Sequence, residues 1–270
     1  MLPVIKILGI EIYTYYIFLY LAIIAGIVYF IHNMKQVGYK SSELVSFILV
    51  LIIGSIILSR CLFSLLFIFK IGWKEFIIKT LQFWKGGGSI ITVIISGLII
   101  LGLFFESQKY RTEKFLVLDF ISVTFSLGQA IGRIGCFMAG CCYGRPTRSF
   151  LGVVFTHPRS IAPTGIKLHP TQLYESLGCF VIFLFLRRRL KRRKFDGEVF
   201  SWYLVLYSSL RMFMEFFRGD SLFMNLNRAG IAVLRVNIPF VFSILGIISG
   251  YLIYRNLKKR VGLHPSGHQN

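Results

Sequence analysis

The chain has 270 residues and a formal charge of +20, with 55% hydrophobic and only 16% charged residues. Its mean hydropathy is +0.69. A soluble domain carries roughly 25% charged residues, and a disordered chain is far less apolar than this one, so both classes are excluded. The sequence pI of about 10.0 would suit nucleic acid, but Lys and Arg sit in short segments between long apolar runs. Membrane proteins distribute charge in that way, and no nucleic-acid role is expected.

Crossing a bilayer takes roughly 20 mostly apolar residues. Seven stretches are candidates: Ile12–Ile31, Val45–Phe69, Gly88–Phe105, Phe115–Gly135, Leu173–Leu186, Val199–Phe217 and Ile238–Tyr254. The second is long enough to tilt, and the fifth is extended upstream through Gln172. Backbone groups in hydrocarbon must pair internally, so these are expected to be helices. The fold class is therefore all-α, a polytopic membrane protein with one transmembrane domain over residues 1–270. Met1–Lys6 carries one positive charge and no small-x-small cleavage site follows before His32, so the first helix is expected to stay attached. Seven spans put the termini on opposite faces. The run Arg187-Arg188-Arg189-Leu190-Lys191-Arg192-Arg193-Lys194 assigns loop 187–198 to the cytoplasm. The N-terminus and loop 141–171 are then extracytoplasmic, and the C-terminus is cytoplasmic.

Arg60, Arg133 and Arg211 interrupt apolar runs, and each costs roughly 2.5–3.5 kcal/mol at a helix centre. Such residues face a cavity or a partner, or else snorkel from a helix end. Tyr207, Arg211, Glu215 and Arg218 form one helical stripe, in which Glu215 can neutralise only one arginine. The remaining positive charge suits an anion, and guanidinium matches phosphate bidentately. A self-contained Glu–Arg pair is the alternative. Arg133 lies in Gly128-Gln129-Ala130-Ile131-Gly132-Arg133-Ile134-Gly135, whose small residues let another helix or a lipid chain approach. Gly140-Cys141-Cys142-Tyr143-Gly144 reads as a turn. Pro170, with Gln172 and Glu175 following, reads as a helix start. His169 is a candidate base or a plain loop histidine. Cys136, Cys141 and Cys142 allow a disulfide, whereas C-x4-C-C lacks a histidine at metal-ligand spacing, so no metal is expected.

Gly128–Gly135, the string His169-Pro170-Thr171-Gln172-Leu173-Tyr174-Glu175 and Tyr207-x3-Arg211-x3-Glu215-x2-Arg218-x-Asp220 together resemble the bacterial prolipoprotein diacylglyceryl transferase family. Weaker matches are Tyr13-Thr14-Tyr15, Arg60 and Trp84-Lys85-Gly86-Gly87. The resemblance implies an enzyme of the bacterial cytoplasmic (inner) membrane, acting in lipoprotein biosynthesis. It implies transfer of diacylglyceryl from phosphatidylglycerol to the lipobox cysteine thiol of a prolipoprotein signal peptide, without cofactor. Arg133 and Arg211 would then be catalytic and hold the lipid phosphate. Tyr15, Tyr207, Gly144, Glu215 and Arg218 would contribute to substrate binding. The histidine of the family's His-Gly-Gly string falls on Ile91, which leaves His169 or Glu175 as acid/base candidates. The alternative is a paralogue that binds anionic lipid or transports an anion.

Overall fold

The computed structural model describes residues 2–7, 10–81, 90–106, 113–219, 223–228 and 231–263. Trp84-Lys85-Gly86-Gly87 and Asp220 lie outside the described residues. Among the described residues there are seven helices: α1 (Thr14–Lys35), α2 (Ser41–Leu81), α3 (Ile90–Glu106), α4 (Lys114–Ala139), α5 (Thr171–Lys191), α6 (Glu198–Glu215) and α7 (Ile238–Leu263). Each expected stretch corresponds to one of them. Among the described residues, four segments are long and apolar enough to cross a membrane: Thr14–Lys35, Ser41–Leu62, Lys114–Ala139 and Ile238–Val261. Their outward apolar side chains, such as Ile24, Val28, Phe125 and Phe242, require a hydrocarbon solvent rather than water. Helices α5 and α6 have 21 and 18 residues but carry the arginines and glutamates discussed below. Ile91 lies in α3.

Three local expectations change. Ile12 and Tyr13 belong to a hairpin, β1 (Val4–Ile7) with β2 (Ile10–Tyr13), so the first helix begins at Thr14. The alternation Ile10-Glu11-Ile12-Tyr13 is a strand pattern, hidden in hydropathy by the apolar run after it. Thr14 ends the hairpin by donating Oγ1–H to the Leu2 and Pro3 carbonyls, at 2.7 and 3.1 Å. Helix α2 has 41 residues, and at 1.5 Å per residue it runs about 60 Å, twice the hydrocarbon thickness. The segment before α7, left between the sixth and seventh expected spans, is a second hairpin, β5 (Phe223–Arg228) with β6 (Ile231–Asn237). A further pair, β3 (Val153–Val154) with β4 (Lys167–Leu168), folds loop 141–171 over a small core of Phe155, Ala162 and Leu168.

The chain divides into two compact units, Met1–Phe30 with Phe115–Asn270, and Ile31–Lys114. In the second unit α2 packs on α3, with Gly54 meeting the Ile100 side chain, and Tyr39 donates to Glu113. Arg60 is half-buried on α2. In the first unit, small residues set the helix crossings. A Cβ at Gly135 would stand 2.9 Å from Phe18 Cβ and 3.3 Å from the Tyr15 carbonyl, so α1 and α4 meet backbone to backbone there. Hydroxyls join α4 to α5: Ser126 donates to the Cys179 carbonyl at 2.9 Å, and Ser176 to the Ala130 carbonyl at 2.6 Å. Backbone carbonyls absorb these hydroxyls without leaving a polar group in hydrocarbon. At the other end of α4, buried Asp119 accepts from the Gly197 and Phe200 N–H groups at 2.9 and 2.7 Å. It therefore caps α6, a role usually taken by a local Ser, Thr or Asp.

Candidate functional site

Helix α4 carries Arg133 and the start of α5 carries Glu175. Arg133 Nη2 lies 2.7 Å from Glu175 Oε1, and the Glu175 side chain is 2% exposed against 20% for Arg133. From the sequence, Glu175 reads as a residue favoured by the α5 dipole. In the structure it is the counter-ion of an arginine 42 positions away. Only one guanidinium nitrogen is used in this pair, so further donors of the five remain for a ligand.

On α6, Arg211 Nη1 lies 2.9 Å from Glu215 Oε2. Asn237, the last residue of β6, donates Nδ2–H to Glu215 Oε1 at 3.0 Å and accepts the Phe240 N–H at 3.1 Å. Asn237 was not singled out in the sequence, although Asn followed by Ile238-Pro239 is an N-cap signal. The Tyr207 ring stacks on Tyr203, whose hydroxyl donates to Gln129 Oε1 at 3.1 Å. Tyr207 has Glu175, Arg133 and Arg211 as charged neighbours, so both arginines lie near one phenol. Arg218 lies beyond the end of α6, buried, and so leaves the α6 part of the expected stripe.

Three loop segments meet above these pairs. The Gly144 N–H donates to the His169 carbonyl at 3.0 Å, the His169 N–H to the Arg145 carbonyl at 3.0 Å, and the Arg145 N–H to the Phe217 carbonyl at 2.8 Å. A Cβ at Gly144 would stand 2.5 Å from the His169 carbonyl oxygen and 2.9 Å from that of Phe217. Gly144 thus permits the close approach of the protein's own backbone. The His169 ring packs edge-on against Phe217, 5.4 Å between centroids, with Nδ1 3.4 Å from the Tyr174 hydroxyl.

The chain leaves α4 through Gly140, at φ 75°, and Cys142, at φ 58°. The left-handed region suits the glycine but costs a cysteine of order 1–3 kcal/mol. Buried side chains hold the turn: Gln172 Nε2 donates to the Cys141 carbonyl at 2.7 Å, and Thr171 Oγ1 to the Cys142 carbonyl at 2.8 Å. The sequence reading took Gln172 only as a helix-start residue. The turn brings the sulfurs of Cys136, Cys141 and Cys142 within 4.8 Å of one another, and all three are free thiols. Cys142 is hydrogen-bonded to the Cys136 and Cys141 thiols and has Arg133 and Arg218 beside it, which holds its thiol well below the usual range. Cys141, hydrogen-bonded to Cys136 and Cys142 and partly buried, is pushed up. Tyr15 of α1 neighbours all three cysteines and Arg133. Next to them lies a cavity of about 260 Å³ lined by Tyr13, Tyr15, Tyr16, Ala139, Cys141 and Ile161.

Comparison with family models matches residues 3–255 to the family described as prolipoprotein diacylglyceryl transferase. The chain belongs to that family. Among similar transferases, a protein of Clostridium tetani named phosphatidylglycerol–prolipoprotein diacylglyceryl transferase is 36% identical over 216 residues, covering 80% of this chain and 84% of the relative. One of Clostridium perfringens, named phosphatidylglycerol–prolipoprotein diacylglyceryl transferase 2, is 31% identical over 265 residues and 97% of both chains. A Finegoldia magna transferase is 33% identical over 263 residues and 95% of both. The motifs that carried the resemblance supply both ion pairs, Arg133 with Glu175 and Arg211 with Glu215.

Proposed function

We propose that the protein transfers diacylglyceryl from phosphatidylglycerol to the lipobox cysteine thiol of a prolipoprotein signal peptide, leaving glycerol phosphate and a thioether. The observation that carries this reading is that Arg133, paired with Glu175, and Arg211, paired with Glu215, both lie near Tyr207, in a chain of this family. Each glutamate holds its guanidinium in place. The remaining N–H groups donate to the phosphate oxygens of the donor lipid and stabilise the charge that grows on them as the carbon–oxygen bond breaks. Donors fixed in a site shielded from water need no reorganisation at that moment. Tyr207 and Tyr15 orient the headgroup, and Arg218 contributes to its binding.

In this reading all seven helices span the bacterial cytoplasmic membrane, with the N-terminus outside and the C-terminus in the cytoplasm. Loop 187–198 stays inside because of its charge. Loop 141–171 then lies where secreted precursors emerge. Glu175 serves Arg133 as counter-ion, and His169 sits in an aromatic cluster with Tyr174 and Phe217. The acceptor thiol is therefore activated by something other than a free carboxylate.

The test uses purified protein in phosphatidylglycerol vesicles with a lipobox peptide. Mass spectrometry should detect the peptide gaining one diacylglyceryl group. Arg133→Ala and Arg211→Ala should each lower the rate about 10²–10³-fold, the cost of removing one preorganised donor to a developing oxyanion. Tight lipid binding with no thioether would overturn the transferase reading in favour of an anionic-lipid binder.

A further inference from the structure

We infer that Cys136, Cys141 and Cys142 form a three-thiolate site for a zinc ion, whose fourth position takes the acceptor thiol of the reaction proposed above; the catalytic part of this inference rests on that reading. The spacing C-x4-C-C does not announce such a site. Its geometry comes from the turn, because Gly140 and Cys142 in left-handed conformations fold the chain back over the end of α4. The Cys141 N–H donates to the Cys136 carbonyl at 3.1 Å, which fixes Cys141 above Cys136. Thr171 and Gln172 lock the strained residue pair from α5. Strain held by dedicated buried partners marks a functional position more often than a structural one.

The distances fit the ion. A zinc–sulfur bond of about 2.3 Å puts tetrahedral ligands about 3.8 Å apart, and these three sulfurs already lie within 4.8 Å of one another. Three soft thiolates select zinc or a similarly thiophilic ion over a hard one. A single disulfide would use two of the sulfurs and leave the third without a role. Charge fits as well. Three thiolates and Zn²⁺ carry one negative charge, and the guanidinium groups of Arg133 and Arg218 lie near Cys142. Three protein ligands with one open position is the arrangement of catalytic rather than structural zinc. The tyrosine-lined cavity at Cys141 gives the acceptor a route to that position.

The chemistry follows from this arrangement. The acceptor thiol gives its proton to water and binds as thiolate, since a metal-coordinated thiol is deprotonated outright. Its sulfur lone pair forms the bond to the terminal glycerol carbon of the donor. The bond from that carbon to the phosphate oxygen breaks, and glycerol phosphate leaves with the electron pair. No oxidant or reductant enters. This supplies thiol activation without a histidine.

The experiment measures metal in the full-length protein, purified in detergent under reducing, anaerobic conditions. Elemental mass spectrometry should find one zinc per chain, and Cys136→Ser/Cys141→Ser/Cys142→Ser should lose it while Cys61→Ser keeps it. Should the triple variant fail to fold, the wild type stripped by chelator and reloaded with cobalt(II) should develop thiolate-to-cobalt absorption that shifts on adding a cysteine peptide. Less than a tenth of a zinc per chain with all thiols free, or a disulfide among the three, overturns the site. Thioether formation at an unchanged rate by the stripped enzyme overturns the activation role and leaves the transferase reading intact. A zinc-loaded protein that makes no thioether leaves the site standing and removes the transferase reading instead.

Discussion

Replacing Arg133 by Met separates the two jobs assigned to the Arg133–Glu175 pair. Glu175 is buried, at 2% side-chain exposure, and its partner lies 2.7 Å away. Removing the arginine leaves a buried carboxylate without a counter-ion, which typically costs 3–5 kcal/mol. The 20% exposure of Arg133 lets some water reach the site, so the expected loss is about 3 kcal/mol. For a chain of this size that lowers Tm by roughly 6–12 °C. Changing both residues, Arg133→Met with Glu175→Met, removes both charges together. Swaps of that kind are close to neutral for stability, so the double variant should unfold near the wild-type temperature. Its transferase rate should nevertheless stay about 10²–10³-fold down, because the guanidinium that meets the phosphate is gone. Thermal unfolding in detergent and the vesicle assay, run on the same three preparations, read both quantities. Recovery of turnover in the double variant would refute the reasoning, and so would an Arg133→Met protein as stable as wild type.

Two further outcomes follow from the loops. Gly144→Ala should destabilise the protein by about 1–3 kcal/mol, since its Cβ would meet two backbone carbonyls that cannot rotate away; thermal unfolding measures this, and an unchanged Tm would show that the junction is looser than described. Glu11 accepts from Arg159 at 2.6 Å and pairs with Lys6 at 3.3 Å, and the Arg159 hydrogen bond, followed by that of Lys6, holds its carboxyl below the usual range. Because the folded value is the depressed one, this tie is fully present above the ordinary carboxylate value of about 4.3 and is lost as pH falls through the lower folded value. Proteolysis of the N-terminal hairpin should therefore accelerate below about pH 4 in wild type and lose that pH dependence in Glu11→Gln.

The helices were legible because a membrane span must be both long and apolar, and hydropathy reads both. Boundaries failed where another pattern overlapped that signal. The strand residues Ile10–Tyr13 merged with α1, and α2 continued past Phe69 through a segment containing Lys70, Lys74 and Lys79. Arg133 and Arg211 stood out by the cost of a charge in hydrocarbon, but only one partnership followed from spacing. Glu215 lies four residues from Arg211 on one helix face, whereas Glu175 reaches Arg133 through the packing of α5 on α4 at Ser126 and Ser176. Asp119 illustrates the same limit, since it caps a helix that starts 79 positions later and no local pattern connects the two.

The cysteines are the sharpest case. Ligand spacing rules assume a regular element, in which residues five or six apart point in different directions. Cys136 lies in the last turn of α4, and Cys141 and Cys142 follow a left-handed glycine, so sequence separation no longer measures distance between sulfurs. What could have been read is the pairing of a turn signal with a clamp, Gly140-Cys141-Cys142 here and Thr171-Gln172 thirty residues on. A non-glycine residue at φ 58° persists only where its surroundings over-determine it. In this protein the residues that do so belong to the same His169–Glu175 string that supplies the Arg133 counter-ion. The proposed lipid-phosphate site and the thiol cluster therefore share one short segment at the start of α5, and a shift of that segment would displace the Arg133 counter-ion and the sulfurs together.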